Sequence, residues 1–209
     1  MGQYYMALVE RGGKDTRYSL QIKGWKEKAE RGEYGGYNGV KLMEHSYYNN
    51  SFMDAITADL YHHKAKVAWV GDYASDFKWE EGGKPDPKEL FARTWEIDGG
   101  EDIEDNGGMT LEDKYLVNHT KKLYVSGNEY WDLNKFQWGN EGEYWCTHPL
   151  SLLTACGNGL GGGDYWKNYP DANLVGDWCM DEISVEDTPP KDYKKANYNF
   201  KEDTSNELL

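Results

Sequence analysis

Seven side chains in turn-like stretches have the types that hold a small polar ligand: Asp72, Tyr73, Asn118, His119, Asn158, Asp164 and Tyr165. Tyrosine rings stack on flat or hydroxyl-rich molecules, while amides and carboxylates fix their orientation. The run Gly157-Asn158-Gly159-Leu160-Gly161-Gly162-Gly163 adds a loop whose backbone can approach a phosphate closely. Its letters match GxGxxG, yet Asp164-Tyr165-Trp166-Lys167-Asn168-Tyr169-Pro170 follows and supplies no helix to face a pyrophosphate. A dinucleotide-binding fold is therefore rejected. Tyr34, Tyr37, Tyr47, Tyr48 and Trp166 also sit beside Gly, Asn or Asp, and a phosphate would need Lys121, Lys122 or the basic N-terminal region over 1–32 nearby to offset the negative charge of the chain.

Two other chemistries draw on the same residue types. A hydrolase would pair His119 or His45 with Asp72 or Asp164 as base and orienting carboxylate. Asp59 and His63 stand four apart on an expected helix, two ligands short of a metal centre. HExxH, GxSxG and P-loop patterns do not occur. The residues point to no particular cofactor.

Charge limits the partners. The chain has 209 residues with 23 Lys+Arg against 37 Asp+Glu, a net charge of −14. Between Arg93 and Lys114 lie Glu96, Asp98, Glu101, Asp102, Glu104, Asp105, Glu112 and Asp113 with no basic side chain among them. Such a block repels polyanions, which argues against generic nucleic-acid binding; it reads first as a solvated acidic loop and alternatively as a face for a basic protein groove. No apolar run reaches the roughly 18–20 residues that cross a bilayer, and no signal-peptide pattern opens the sequence. Cys146, Cys156 and Cys179 are odd in number and lack CxxC spacing, which favours reduced thiols in a cytoplasm.

The elements that must position these residues are short. Residues 4–10 read as a strand closed by Arg11-Gly12-Gly13, with 18–23 as its returning arm. Residues 51–63 read as a helix capped by Asn50 or Ser51, with Phe52, Met53, Ile56 and Leu60 on one face and His62 and His63 at its end. A strand over 66–70 follows. Asp86-Pro87-Lys88-Glu89 signals a second helix with Leu90, Phe91 and Trp95 inward. Residues 114–118 and 122–126 form a hairpin around His119-Thr120-Lys121. Further strands are expected at 143–147, 151–156, 174–175, 178–185 and 196–200. Val70-Gly71-Asp72-Tyr73 is echoed by Val175-Gly176-Asp177-Trp178, as two turns whose Asp bonds nearby backbone. The fold class is α+β, a mainly antiparallel sheet with about two helices, in one domain over 1–188 with a polar tail over 189–209.

Several segments resemble an uncharacterised family of gut Firmicutes and their phages. They are Met1-Gly2-Gln3-Tyr4-Tyr5, Lys41-Leu42-Met43-Glu44-His45-Ser46, Trp69-Val70-Gly71-Asp72-Tyr73-Ala74, and the stretches 115–122, 148–165 and 175–178. The resemblance implies a bacterial or phage cytoplasmic protein acting in the conflict between phage and host, and it supplies no catalytic residues.

The leading expectation is a non-enzymatic binding protein with a pocket for a small polar, nucleotide-derived ligand, sequestering a host immune signal. A second is an inhibitor that docks on a basic host protein through Asp102, Glu104 and Asp105, as a nucleic-acid mimic. The third is the His/Asp hydrolase. No membrane partner is expected.

Overall fold

The computed structural model describes residues 4–18, 46–79, 84–96, 109–137, 142–157 and 170–201. Within them β1 (Tyr5–Arg11) turns through Gly12 and Gly13 into β2 (Lys14–Tyr18). Both glycines have positive φ, +59° and +79°, the backbone a two-residue hairpin loop demands. The returning arm therefore starts at Lys14, not at Tyr18 as expected, with Arg11 opposite Lys14. Helix α1 (Ser51–Asp59) begins where Asn50 accepts a hydrogen bond from the Phe52 N–H at 3.0 Å. It stops four residues short of the expected end. The next residues bond to a strand instead: Val185 N–H donates to Leu60 O and His62 N–H to Val185 O.

Strand β3 (Ala65–Gly71) lies antiparallel to β1, and a short 3₁₀ turn (Ala74–Asp76) follows it. Helix α2 (Pro87–Trp95) is capped as its sequence predicts, Asp86 accepting from the Lys88 N–H at 3.0 Å with Pro87 in the first turn. The hairpin of β4 (Tyr115–Asn118) and β5 (Leu123–Ser126) also forms as expected. Then come α3 (Gly127–Asn134), β6 (Phe136–Gln137), β7 (Tyr144–Trp145), α4 (Pro149–Leu153), β8 (Ala155–Cys156), a 3₁₀ turn (Ala172–Leu174), β9 (Glu182–Glu186) and β10 (Lys194–Lys195).

The strands make one sheet in the order β10-β5-β4-β9-β3-β1-β2, with β8 parallel to β3 and β6–β7 a separate pair. The architecture is α+β and mainly antiparallel, with four α-helices among the described residues. The sequence reading marks two of them, α1 and α2; the five-residue α4 is too short to show a helical period. Residues 151–153, expected as a strand, are helical since His148 Nδ1 accepts from the Leu150 N–H and Pro149 fixes the first turn. Every residue of α4 is buried, so it shows no polar face and reads as a strand by composition. Likewise 174–175 is no strand, and the ladder expected from 178 starts at Glu182.

Alternation divides the core. Tyr5, Ala7, Val9, Val67 and Trp69 face one side, where Phe52, Met53 and Ile56 of α1 and Leu150, Leu152 and Leu153 of α4 cover them. Leu8, Ala68 and Val70 face the other, against Leu90 of α2, Cys156 and Cys179. Arg93 ties α2 to the hairpin through Glu10 at 2.6 Å and Asp15 at 2.7 Å. Past residue 188, read from sequence as a polar tail, Lys194–Lys195 pairs with β5 and Tyr198 and Phe200 are buried in the larger core. No helix among the described residues is long and apolar enough to cross a membrane.

Candidate functional site

The sheet register places the predicted site residues. Asn158, Asp164 and Tyr165 lie outside the described residues, as do Tyr34, Tyr37, His45, Trp166 and the acidic trio Asp102, Glu104 and Asp105. Asp72 and Tyr73 follow the last residue of β3, whereas Asn118 aligns, through Ile183 of β9, with Ala65 at the first residue of β3. Seven residues of extended chain separate those levels, roughly 20 Å along the sheet. The two turns therefore do not share one recess. Asp72 does adjoin the start of the glycine run: Val70 pairs with Cys156, so Gly71 and Gly157 leave the sheet side by side.

Most of the predicted side chains have structural partners. Asp72 Oδ1 accepts from the Tyr4 N–H at 3.1 Å while its own N–H donates to Tyr4 O at 2.8 Å. This reciprocal pair anchors the start of β1, and partial burial pushes the carboxyl pKa up. Fully buried Asn118 donates from Nδ2 to Asp181 at 2.7 Å and accepts the Lys121 N–H on Oδ1 at 2.8 Å. It closes the hairpin turn and has little left for a ligand. Lys121 reaches Asp177 at 2.7 Å, so the second echo turn bonds an ammonium where the first bonds backbone. Tyr48 is buried, its hydroxyl on Gly127 O. Asp59 is held by Arg11 at 2.7 and 3.0 Å, and His63 lies beyond the helix end, so the Asp59–His63 metal pair does not form. The pairing of His119 with Asp72 does not form either, since they sit at opposite levels of β3.

His119 stands in a longer network. Its Nε2 stands 2.8 Å from Ser184 Oγ and its Nδ1 3.1 Å from the Tyr193 hydroxyl. Ser184 donates to Glu186 Oε1 at 2.6 Å, and Glu186 Oε2 is 2.8 Å from His62 Nδ1. His62 Nε2 reaches Asp187 at 3.5 Å, and Asp187 in turn accepts from Tyr61 at 2.7 Å and pairs with Lys114 at 2.9 Å. One continuous polar chain thus runs from Tyr193 to Lys114. Burial would push the Glu186 pKa up, but hydrogen bonds from Ser184 and His62 outweigh it and hold the carboxyl below its ordinary value. Partial burial lowers the pKa of His119, helped by the nearby Lys64.

Strand alternation explains why these groups share a side. Ser184 and Glu186 are two apart on β9, and Val117, opposite Ser184, points the same way as Tyr115 and Tyr124. The rings of Tyr115 and Tyr124 meet edge to face at 5.7 Å. Helix α2 packs on β1 and β3 of this side of the sheet. On the β9-β4-β5 half, Tyr115, Tyr124, His119 and Tyr193 remain only half-buried.

Ser184, Glu186 and Tyr193 were missed by sequence reasoning. The signal was there for the first two: Glu182-Ile183-Ser184-Val185-Glu186 alternates strictly, which announces a strand with one polar face. Nothing local marks Tyr193, which arrives from a loop. No protein-family model matches the chain, and neither a curated protein nor a solved structure does.

Proposed function

We propose that this chain is a binding protein for a small, polar, ring-bearing ligand of the nucleotide-derived class, held on the β9-β4-β5 face. The observation that carries the reading is the juxtaposition of half-buried rings (Tyr115, Tyr124, His119 and Tyr193) with the partly exposed Glu186 carboxylate, which the fully buried Ser184 hydroxyl orients from beneath. Rings supply stacking area, and the fixed polar atoms select orientation. Lys195, ion-paired to Glu129 at 2.7 Å and opposite Tyr124 in the β10–β5 ladder, is a cation beside Tyr124 and Tyr115. A single neutralised ammonium favours a nucleoside or monoester over a polyphosphate. Sequestration of a host signal is the biological role consistent with a binder. Calorimetry of the full chain against nucleosides and nucleotides is the test. One-to-one binding weakened tenfold by Tyr115→Ala supports the reading; absence of heat and of thermal shift across the panel overturns it.

A further inference from the structure

The hydrogen-bond chain assigns its own protons. A serine hydroxyl has one proton, and Ser184 gives it to Glu186, an ionised carboxylate that can only accept. Toward His119 the Ser184 oxygen is therefore an acceptor, so His119 Nε2 carries the ring proton. In the neutral ring Nδ1 is then a bare lone pair, and the contact it makes at 3.1 Å is with the Tyr193 hydroxyl, which must donate. The order carboxylate, hydroxyl, imidazole, phenol places an oriented base on an O–H group, the arrangement that activates a nucleophile.

We propose that Tyr193 is a primed nucleophile, its phenol oxygen able to attack small acyl- or sulfonyl-type electrophiles while His119 takes the proton. In that step the Tyr193 oxygen forms a bond to the electrophilic centre and the bond to the leaving group breaks. The phenol proton moves to His119 Nδ1, and the imidazolium keeps its Nε2–H on Ser184, whose hydroxyl remains on Glu186. Tyr193 is half-buried, not enclosed, and its ring and that of His119 meet edge to face with centroids 5.7 Å apart. Lys64, Glu182 and Glu186 are the charged groups acting on His119, with His62 on the far side of Glu186, and Asp192 (paired with Lys122) and Lys194 flank Tyr193 in the chain. The inference uses the face proposed above for binding but does not depend on which ligand binds there.

The experiment is labelling of the full chain by an arylsulfonyl fluoride, in which the phenol oxygen displaces fluoride, followed by peptide mapping. The expected result is one dominant adduct on Tyr193 among the 17 tyrosines, lost in Tyr193→Phe and at least tenfold slower in His119→Gln. The pH–rate profile of wild type should level off where His119 is neutral, while His119→Gln should keep rising with hydroxide. Labelling of Tyr193 at the rate of other exposed tyrosines, or an unchanged rate and profile in His119→Gln, overturns the proposal. Calorimetry on the wild-type chain separates the two ideas: ligand binding without selective labelling removes the nucleophile alone, and selective labelling without any bound nucleotide removes the binding reading alone.

Discussion

Trp178 Nε1 donates to the Tyr198 hydroxyl at 2.9 Å, joining the turn before β9 to the segment after β10 inside the larger core. Trp178 is fully buried and Tyr198 nearly so. Tyr198→Phe leaves the indole N–H without an acceptor, a loss of about 1–3 kcal/mol. Urea unfolding of wild type and variant measures it.

The same contact predicts that the C-terminal segment is structural. Ending the chain after residue 188 removes both Tyr198 and Phe200, and the Phe200 N–H bond to Asn134. Each lost aromatic costs on the order of 3–5 kcal/mol, enough to exhaust a typical domain's margin. Circular dichroism of the truncated chain should show loss of cooperative melting.

His148 sets a pH dependence. Its ring is fully buried and burial drives its pKa down to about 3 from an ordinary 6.5. An unfolded chain takes a proton there that the folded one refuses, so this stability is complete above pH 6.5 and drains as pH falls towards 3. The slope approaches about 1.4 kcal/mol per pH unit. Denaturant titrations between pH 7 and 4 should show it, and His148→Asn, which keeps a capping acceptor without titrating, should flatten it.

Asp72 gives the opposite sign. Burial raises its folded pKa, so deprotonation is harder in the folded protein and its charge opposes folding at neutral pH. Asp72→Asn retains an acceptor for the Tyr4 N–H. Its melting temperature should rise at pH 7, with the gain shrinking on acidification through the carboxylate range.

Backbone geometry fixes another position. Gly176 has φ +76°, and a Cβ there would collide with Ala155 O and crowd the Trp79 ring. Gly176→Ala should destabilise by more than the 1–2 kcal/mol of a left-handed residue alone. Calorimetric melting is the check.

The fold was legible where signals were local. Asp86-Pro87 announces α2, Asn50 announces α1, and two short apolar runs around His119-Thr120-Lys121 announce the 114–126 hairpin. α4 was hidden because burial of all five residues erases the helical stripe, and α1 was overextended because Leu60 and His62 bond to Val185, more than a hundred residues away. The site was legible in part: His119 was marked by its turn, but its partners Ser184 and Tyr193 are set by register and a returning loop, which no window of sequence contains. Asn118, beside it, carries a ligand-binding amide by type that the fold commits to Asp181 and Lys121.

Amide chemical-shift mapping during titration with the nucleoside and nucleotide panel tests the account most directly. Perturbations gathered on residues 115–119, 124, 184–186 and 193 are the predicted result. Perturbations gathered instead around Asp72 and Gly157, at the far end of β3, would contradict it.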